Sequence, residues 1–146
     1  MEKHIATLTE LEDEAGRFVV SLSPRESGAT LVTLSGELGA GKTAFVKASA
    51  KKLGVTETVT SPTFVLEKIY SLDSGVTAFR RLVHIDAYRL ESGKELSPLG
   101  LTDLLRDPET LIMLEWPEKV SESLPEAAAR LTIVAEEDGS RTLRYA

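Results

Sequence analysis

The stretch Gly36-Glu37-Leu38-Gly39-Ala40-Gly41-Lys42-Thr43 fits the pattern G-x-x-x-x-G-K-[ST]. Gly36, Gly39 and Gly41 allow a tight loop whose successive backbone N–H groups turn inward, a concavity that suits phosphate oxygens. A helix opening near Thr43 adds the positive end of its dipole at the same point. In this reading the Lys42 ammonium stands exposed in the cradle and neutralises the β- and γ-phosphates of ATP, or the β-phosphate of ADP. The Thr43 hydroxyl is then a hard oxygen ligand for Mg2+. A chance glycine-rich turn would not also follow an apolar strand and open a helix, as this loop is expected to do.

Such a loop needs an acid opposite it. Asp86 ends the run Leu82-Val83-His84-Ile85, and Glu115 ends Leu111-Ile112-Met113-Leu114. In open α/β sheets ligands bind beyond the carboxyl ends of the strands, so an acid placed there faces the phosphates. Asp86 is read as the Mg2+ holder, by analogy with a Walker B aspartate. Glu115 is read as the group that orients or deprotonates the attacking water. The exchanged assignment, and Glu115 as a direct metal ligand, fit the same positions. His84 is expected on the opposite sheet face from Asp86, in a structural role. Arg80, Arg81, Arg89 and Arg106 could each supply charge to a transition state, and so could a partner; no one of them is singled out. Two histidines and no cysteine argue against a zinc site.

The elements that must position these groups follow from periodicity. Thr9 with Glu12 makes a capping box, followed by Leu11, Ala15, Phe18, Val19 and Leu22 at helical spacing, with Pro24 and Gly28 beyond the end. His4, before that helix, is read as part of a frayed terminus. Residues 29–34 read as a buried strand, and residues 43–53 as a helix with Gly54 in the C′ position. Residues 64–70 and 79–86 read as a hairpin, joined through Asp73-Ser74-Gly75. Residues 99–106 form a short helix closed by Asp107-Pro108, and 111–115 a strand that Pro117 stops. Residues 131–135 and 142–145 flank Asp138-Gly139 as a second hairpin. The expected fold is α/β: one phosphate-loop NTPase-like domain over residues 1–146, its mixed sheet having a parallel core, antiparallel hairpins and flanking helices.

Composition excludes several classes. Apolar residues make up 42% and charged residues 27% of the chain, a globular profile, and no apolar run approaches the length of a membrane span. The start lacks a basic segment followed by an apolar one, and there is no cysteine, which fits a cytoplasmic protein. A net charge of −6 argues against autonomous nucleic-acid binding.

The same residues carry a resemblance. The loop 36–43, Thr60-Ser61-Pro62-Thr63-Phe64, His84-Ile85-Asp86-Ala87-Tyr88-Arg89-Leu90 and Glu115-Trp116-Pro117 resemble, in order and spacing, the TsaE (YjeE) family. Glu95-Leu96, Gly100-Leu101 and Asp103 look like that family too, so the likeness runs from about Gly36 to Pro117. It implies a bacterial ATPase, slow alone, that acts with the TsaB–TsaD pair to make N6-threonylcarbamoyladenosine in tRNAs reading codons that begin with A. The tRNA would be met only indirectly, through the complex. By position, Lys42 and Thr43 bind phosphate and metal, while Asp86 and Glu115 are the metal-site and catalytic acids. Trp116, the sole tryptophan, lies beside the nucleotide, and Ser61-Pro62-Thr63 is a switch loop sensing the γ-phosphate. Two other classes remain to be weighed. A small metabolite kinase would need a lid, and no insertion is long enough to be one. A GTP switch would need N-K-x-D, and the chain contains no asparagine.

Overall fold

The computed structural model describes residues 1–57, 59, 66–73 and 75–146, with 97–99 described at the backbone. Its strands are β1 Glu2–Ile5, β2 Thr30–Ser35, β3 Glu67–Ser71, β4 Arg81–Asp86, β5 Thr110–Glu115, β6 Ala129–Ala135 and β7 Arg141–Tyr145. Its helices are α1 Leu8–Val20, α2 Lys42–Lys52 and α3 Leu101–Leu105. One seven-stranded sheet runs in the order β1-β7-β6-β2-β5-β4-β3 among the described residues. The four central strands are parallel, and the antiparallel pairs β3/β4, β6/β7 and β1/β7 close it on both sides. This is the expected mixed sheet.

The parallel strands β4 and β5 are buried on both faces, hence their continuous apolar runs. Alternation sorts them. Leu82, Leu111 and Met113 join Phe45, Val46 and Ala15 in the core under α1 and α2, while Val83, Ile85, Ile112 and Leu114 meet Leu96, Leu101, Leu104 and Val120 on the other face. Phe18 ties α1 to both α2 and β7 through Phe45 and Tyr145, each ring centroid 5.7 Å away. No helix among the described residues is long and apolar enough to cross a membrane.

Four boundaries differ from expectation. The cap of α1 is Thr7, not Thr9: Thr7 Oγ1 accepts from Glu10 N at 3.1 Å, and the Glu10 carboxylate accepts from Ala6 N at 2.7 Å. His4 is not frayed but sits in β1, opposite Thr142 of β7. That strand escapes pattern reading because Ile5 is its only buried side chain. The expected helix over 99–106 divides into a 3₁₀ stretch, Gly93–Leu99, and α3, because Gly100 lies between them with φ +73°. The first hairpin strand starts at Glu67, and expected positions 64 and 65 lie outside the described residues.

Candidate functional site

The loop after β2 turns on glycines for two distinct reasons. At Gly36, with φ +148°, an added Cβ would lie 2.4 Å from the Ile133 carbonyl oxygen, so β6 leaves no room for a side chain. Gly41, with φ +119°, is the N-cap of α2 and offers no side chain to cap it. The first-turn amides of α2 therefore remain available to an anion, with the positive end of the helix dipole behind them. Arg141 of β7 braces the loop from behind, donating from Nε to Ala40 O at 2.7 Å and from a terminal nitrogen to Gly39 O at 3.3 Å. Sequence reading missed it, since nothing in the sequence links Arg141 to a loop a hundred residues earlier.

Lys42 overturns one expectation. It is not exposed but 4% accessible, with Nζ donating to Gly36 O at 2.6 Å and Glu37 O at 2.9 Å, and 4.3 Å from the Trp116 ring centroid. Burial pushes its ammonium below the ordinary lysine range, and the charges of Glu115, Asp86 and Glu118 oppose that shift. An arriving anion would relieve the same desolvation.

The two acids come together as their strands require. Asp86 of β4 and Glu115 of β5 are register partners on adjacent parallel strands. Both are buried and both line a cavity of about 230 Å³ with Leu38, Gly39, Lys42, Thr43 and Trp116. Thr43 Oγ1 lies 3.1 Å from each Glu115 carboxylate oxygen, and Asp86 Oδ1 accepts from Tyr88 N at 2.9 Å. Glu37 and Leu38 are exposed on the loop, while Ala40 is buried beneath it. Trp116 takes φ +61°, donates its backbone N–H to Leu34 O at 3.1 Å and has its ring centroid 4.9 Å from that of Tyr88. It therefore roofs Lys42 from the end of β5, only partly buried. A larger cleft of about 710 Å³ between α1 and α2, lined by Thr9, Glu12, Arg17 and Lys51 among others, contains none of these groups.

His84 is the clearest correction. Positions 84 and 86 differ by two, so they share a face, and His84 Nε2 lies 2.5 Å from Glu115 Oε2 rather than across the sheet. Arg80 and Arg81 pair with Glu109 and Asp107 at the start of β4, five residues and about 16 Å from Asp86. Arg106 is exposed and forms the C-cap of α3. Ser61 and Thr63 of the expected switch loop lie outside the described residues.

The donor set suits a hard cation held jointly with phosphate. Among the described residues no three His, Cys, Asp or Glu side chains form a cage, whereas Thr43, Glu115 and Asp86 offer oxygens beside the head of α2. That is the ligand chemistry Mg2+ accepts when phosphates and water complete its shell.

Fold and site together define an α/β protein with a glycine-rich loop at a helix head and two strand-end acids facing it. Its lineage is narrower. The family model described as threonylcarbamoyl adenosine biosynthesis protein TsaE matches residues 6–143, and the chain belongs to that family. It is 47% identical over 105 residues to the tRNA threonylcarbamoyladenosine biosynthesis protein TsaE of Streptomyces coelicolor, covering 70% of this chain and 67% of that one. Against the protein of the same name from Bacillus subtilis the identity is 36% over 115 residues, covering 79% and 68%. A crystal structure of Bacillus subtilis YdiB superimposes with a TM-score of 0.77 at 26% identity, covering 99% of this chain and 83% of that one.

Proposed function

We propose that, within the threonylcarbamoyladenosine biosynthesis for which its family is named, this chain is the Mg2+-dependent subunit that binds and hydrolyses ATP, working in the cytoplasm with the TsaB–TsaD pair. One observation carries the reading: the Thr43 hydroxyl and the Glu115 carboxylate meet at the head of α2, beside buried Lys42.

The first-turn amides of α2 bind phosphate oxygens, and Lys42 adds a charged donor from within the loop. Thr43 and Glu115 would hold Mg2+, which when bound offsets charge on the β- and γ-phosphates. The Thr43–Glu115 contact favours Glu115 as the metal-side acid. Asp86, on the neighbouring strand, is then the group that orients the water. Trp116 shields Lys42 from solvent and strengthens its field on the phosphates. Arg80 and Arg81 are paired with Glu109 and Asp107 and so bring no charge to the cavity. Isolated hydrolysis should accordingly be slow, with the partners completing the site. The net charge of −6 fits a tRNA held mainly by those partners.

The test is steady-state hydrolysis by the isolated chain and by the chain reconstituted with TsaB and TsaD. Stimulation by the pair, abolished by Lys42→Ala, is expected. Turnover of several per second alone, or indifference to the pair, would contradict the reading.

A further inference from the structure

The imidazole of His84 is buried with no exposed surface, on the strand face that it shares with apolar Leu82 and Met113 on one side and with Asp86 and Glu115 on the other. A polar ring is expensive there. Among the described residues its Nδ1 has no hydrogen-bond partner, and an unsatisfied buried group costs about 1–3 kcal/mol. Packing alone would be served better by leucine or methionine. What the ring does make is one contact: Nε2 sits 2.5 Å from Glu115 Oε2. A carboxylate oxygen accepts, so in this contact Nε2–H is the donor.

The consequence falls on Glu115. Its Oε2 receives His84, while the single Thr43 hydroxyl proton is shared between Oε1 and Oε2 at 3.1 Å each. Oε1 thus keeps a free lone pair, and Glu115 lines the cavity. A glutamate has three rotatable side-chain bonds. Without an anchor its carboxylate could turn toward the Lys42 ammonium and leave Thr43. We propose that His84 is a positioning residue: its Nε2–H locks Oε2 of Glu115 so that the carboxylate is held flat beside Thr43 and presents Oε1 to the metal side. This rests on the Mg2+-nucleotide reading of the site. Groups behind a metal ligand typically matter by about 10–100-fold in metal affinity or activity when removed.

Two substitutions separate the anchor from packing. His84→Met fills the space without a donor. His84→Gln carries an amide N–H close to the position of Nε2. With the purified full chain, the Mg2+ midpoint for ATP binding is read by calorimetry, and hydrolysis is read beside it. The expected result is a midpoint raised about 10–100-fold in His84→Met and largely restored, to within about threefold, in His84→Gln. A folded His84→Met with the parental midpoint would overturn the proposal, and so would equal loss in both variants. A parent chain that binds no Mg2+-ATP would instead sink the reading of the site.

Because a buried substitution can unfold the chain, a second measurement uses the native protein. With only two histidines, the 15N ring spectrum separates His84 from exposed His4. The anchor requires a protonated Nε2 in the free protein, whose resonance shifts in Glu115→Ala. An unprotonated Nε2, or a resonance indifferent to Glu115, would overturn the proposal without reference to nucleotide.

Discussion

Two glutamates lie almost equally deep in this protein and are used in opposite ways. Glu14 of α1 is 3% exposed and Glu115 of β5 is 2% exposed. Around Glu14 the chain provides every partner. Lys3 of β1 and Arg17 each reach Oε2 at 3.0 Å, and the Tyr145 hydroxyl of β7 reaches Oε1 at 2.9 Å. Burial alone would raise its pKa, yet the bonds from Lys3, Tyr145 and Arg17 outweigh this and hold it below the ordinary range. The same contact, with burial the larger cause, drives the Tyr145 phenol well above its usual value. Three elements are clamped by one closed cluster. Glu115 has instead an imidazole, a shared hydroxyl and a cavity, and the nearest ammonium, Lys42, donates its bonds to Gly36 and Glu37 carbonyls. A buried acid whose charge the chain itself balances holds the fold together. One whose charge is left partly unbalanced at a cavity waits for a ligand.

The comparison breaks most visibly at Lys42. Lys42→Ala removes a buried cation from the anion site, and ATP affinity by calorimetry should fall about 10²–10³-fold. Folding stability should move by no more than about 1 kcal/mol, because the loss of two bonds to loop carbonyls is offset by no longer burying an ammonium. Glu115→Gln should raise the Mg2+ needed for binding by about tenfold or more and cut turnover by about 10²–10⁴-fold. If Asp86→Asn moved the Mg2+ midpoint and Glu115→Gln did not, the roles of the two acids would be exchanged.

Glu14→Gln should do the reverse, costing about 1–3 kcal/mol in urea melts while leaving ATP affinity within about twofold. Its pH signature has a definite sign. A folded-state pKa below the unfolded value of 4.5 means stability that is complete above 4.5 and lost as pH falls through the folded value. The parent should therefore lose stability faster than Glu14→Gln on acidification from pH 5. A parallel decline in the two proteins would remove Glu14 as the cause. The smallest effect sharpens the same contrast: Thr7→Ala, uncapping α1, should cost about 1 kcal/mol and leave Mg2+-ATP binding untouched.

The functional cluster was the more legible of the two from sequence. Gly36–Thr43 is contiguous, and Asp86 and Glu115 each end an apolar run, so strand-end logic places them on the loop before any coordinates. The clamp at Glu14 joins residues 3, 14, 17 and 145 through a strand with one buried side chain, and no local pattern announces it. The same limit explains Arg141 behind the loop. Lys42 was misjudged because exposure depends on what covers a residue: its roof is Trp116, held by a left-handed backbone that a triplet of letters does not reveal. His84 needed only correct counting along the strand, since residues two apart share a face.

The most direct test is thermal denaturation of the parent, Glu14→Gln and Glu115→Gln, each with and without Mg2+-ATP. A ligand that binds only the folded state raises stability by RT ln(1 + [L]/Kd), so the shift reports the site independently of the baseline. Glu14→Gln should melt lower than the parent and gain the same increment from Mg2+-ATP. Glu115→Gln should melt near the parent and lose most of the increment that depends on Mg2+. A parent with no increment at all, or a Glu115→Gln increment equal to the parent's, would contradict the assignment of the Thr43–Glu115 corner to a metal-bound nucleotide.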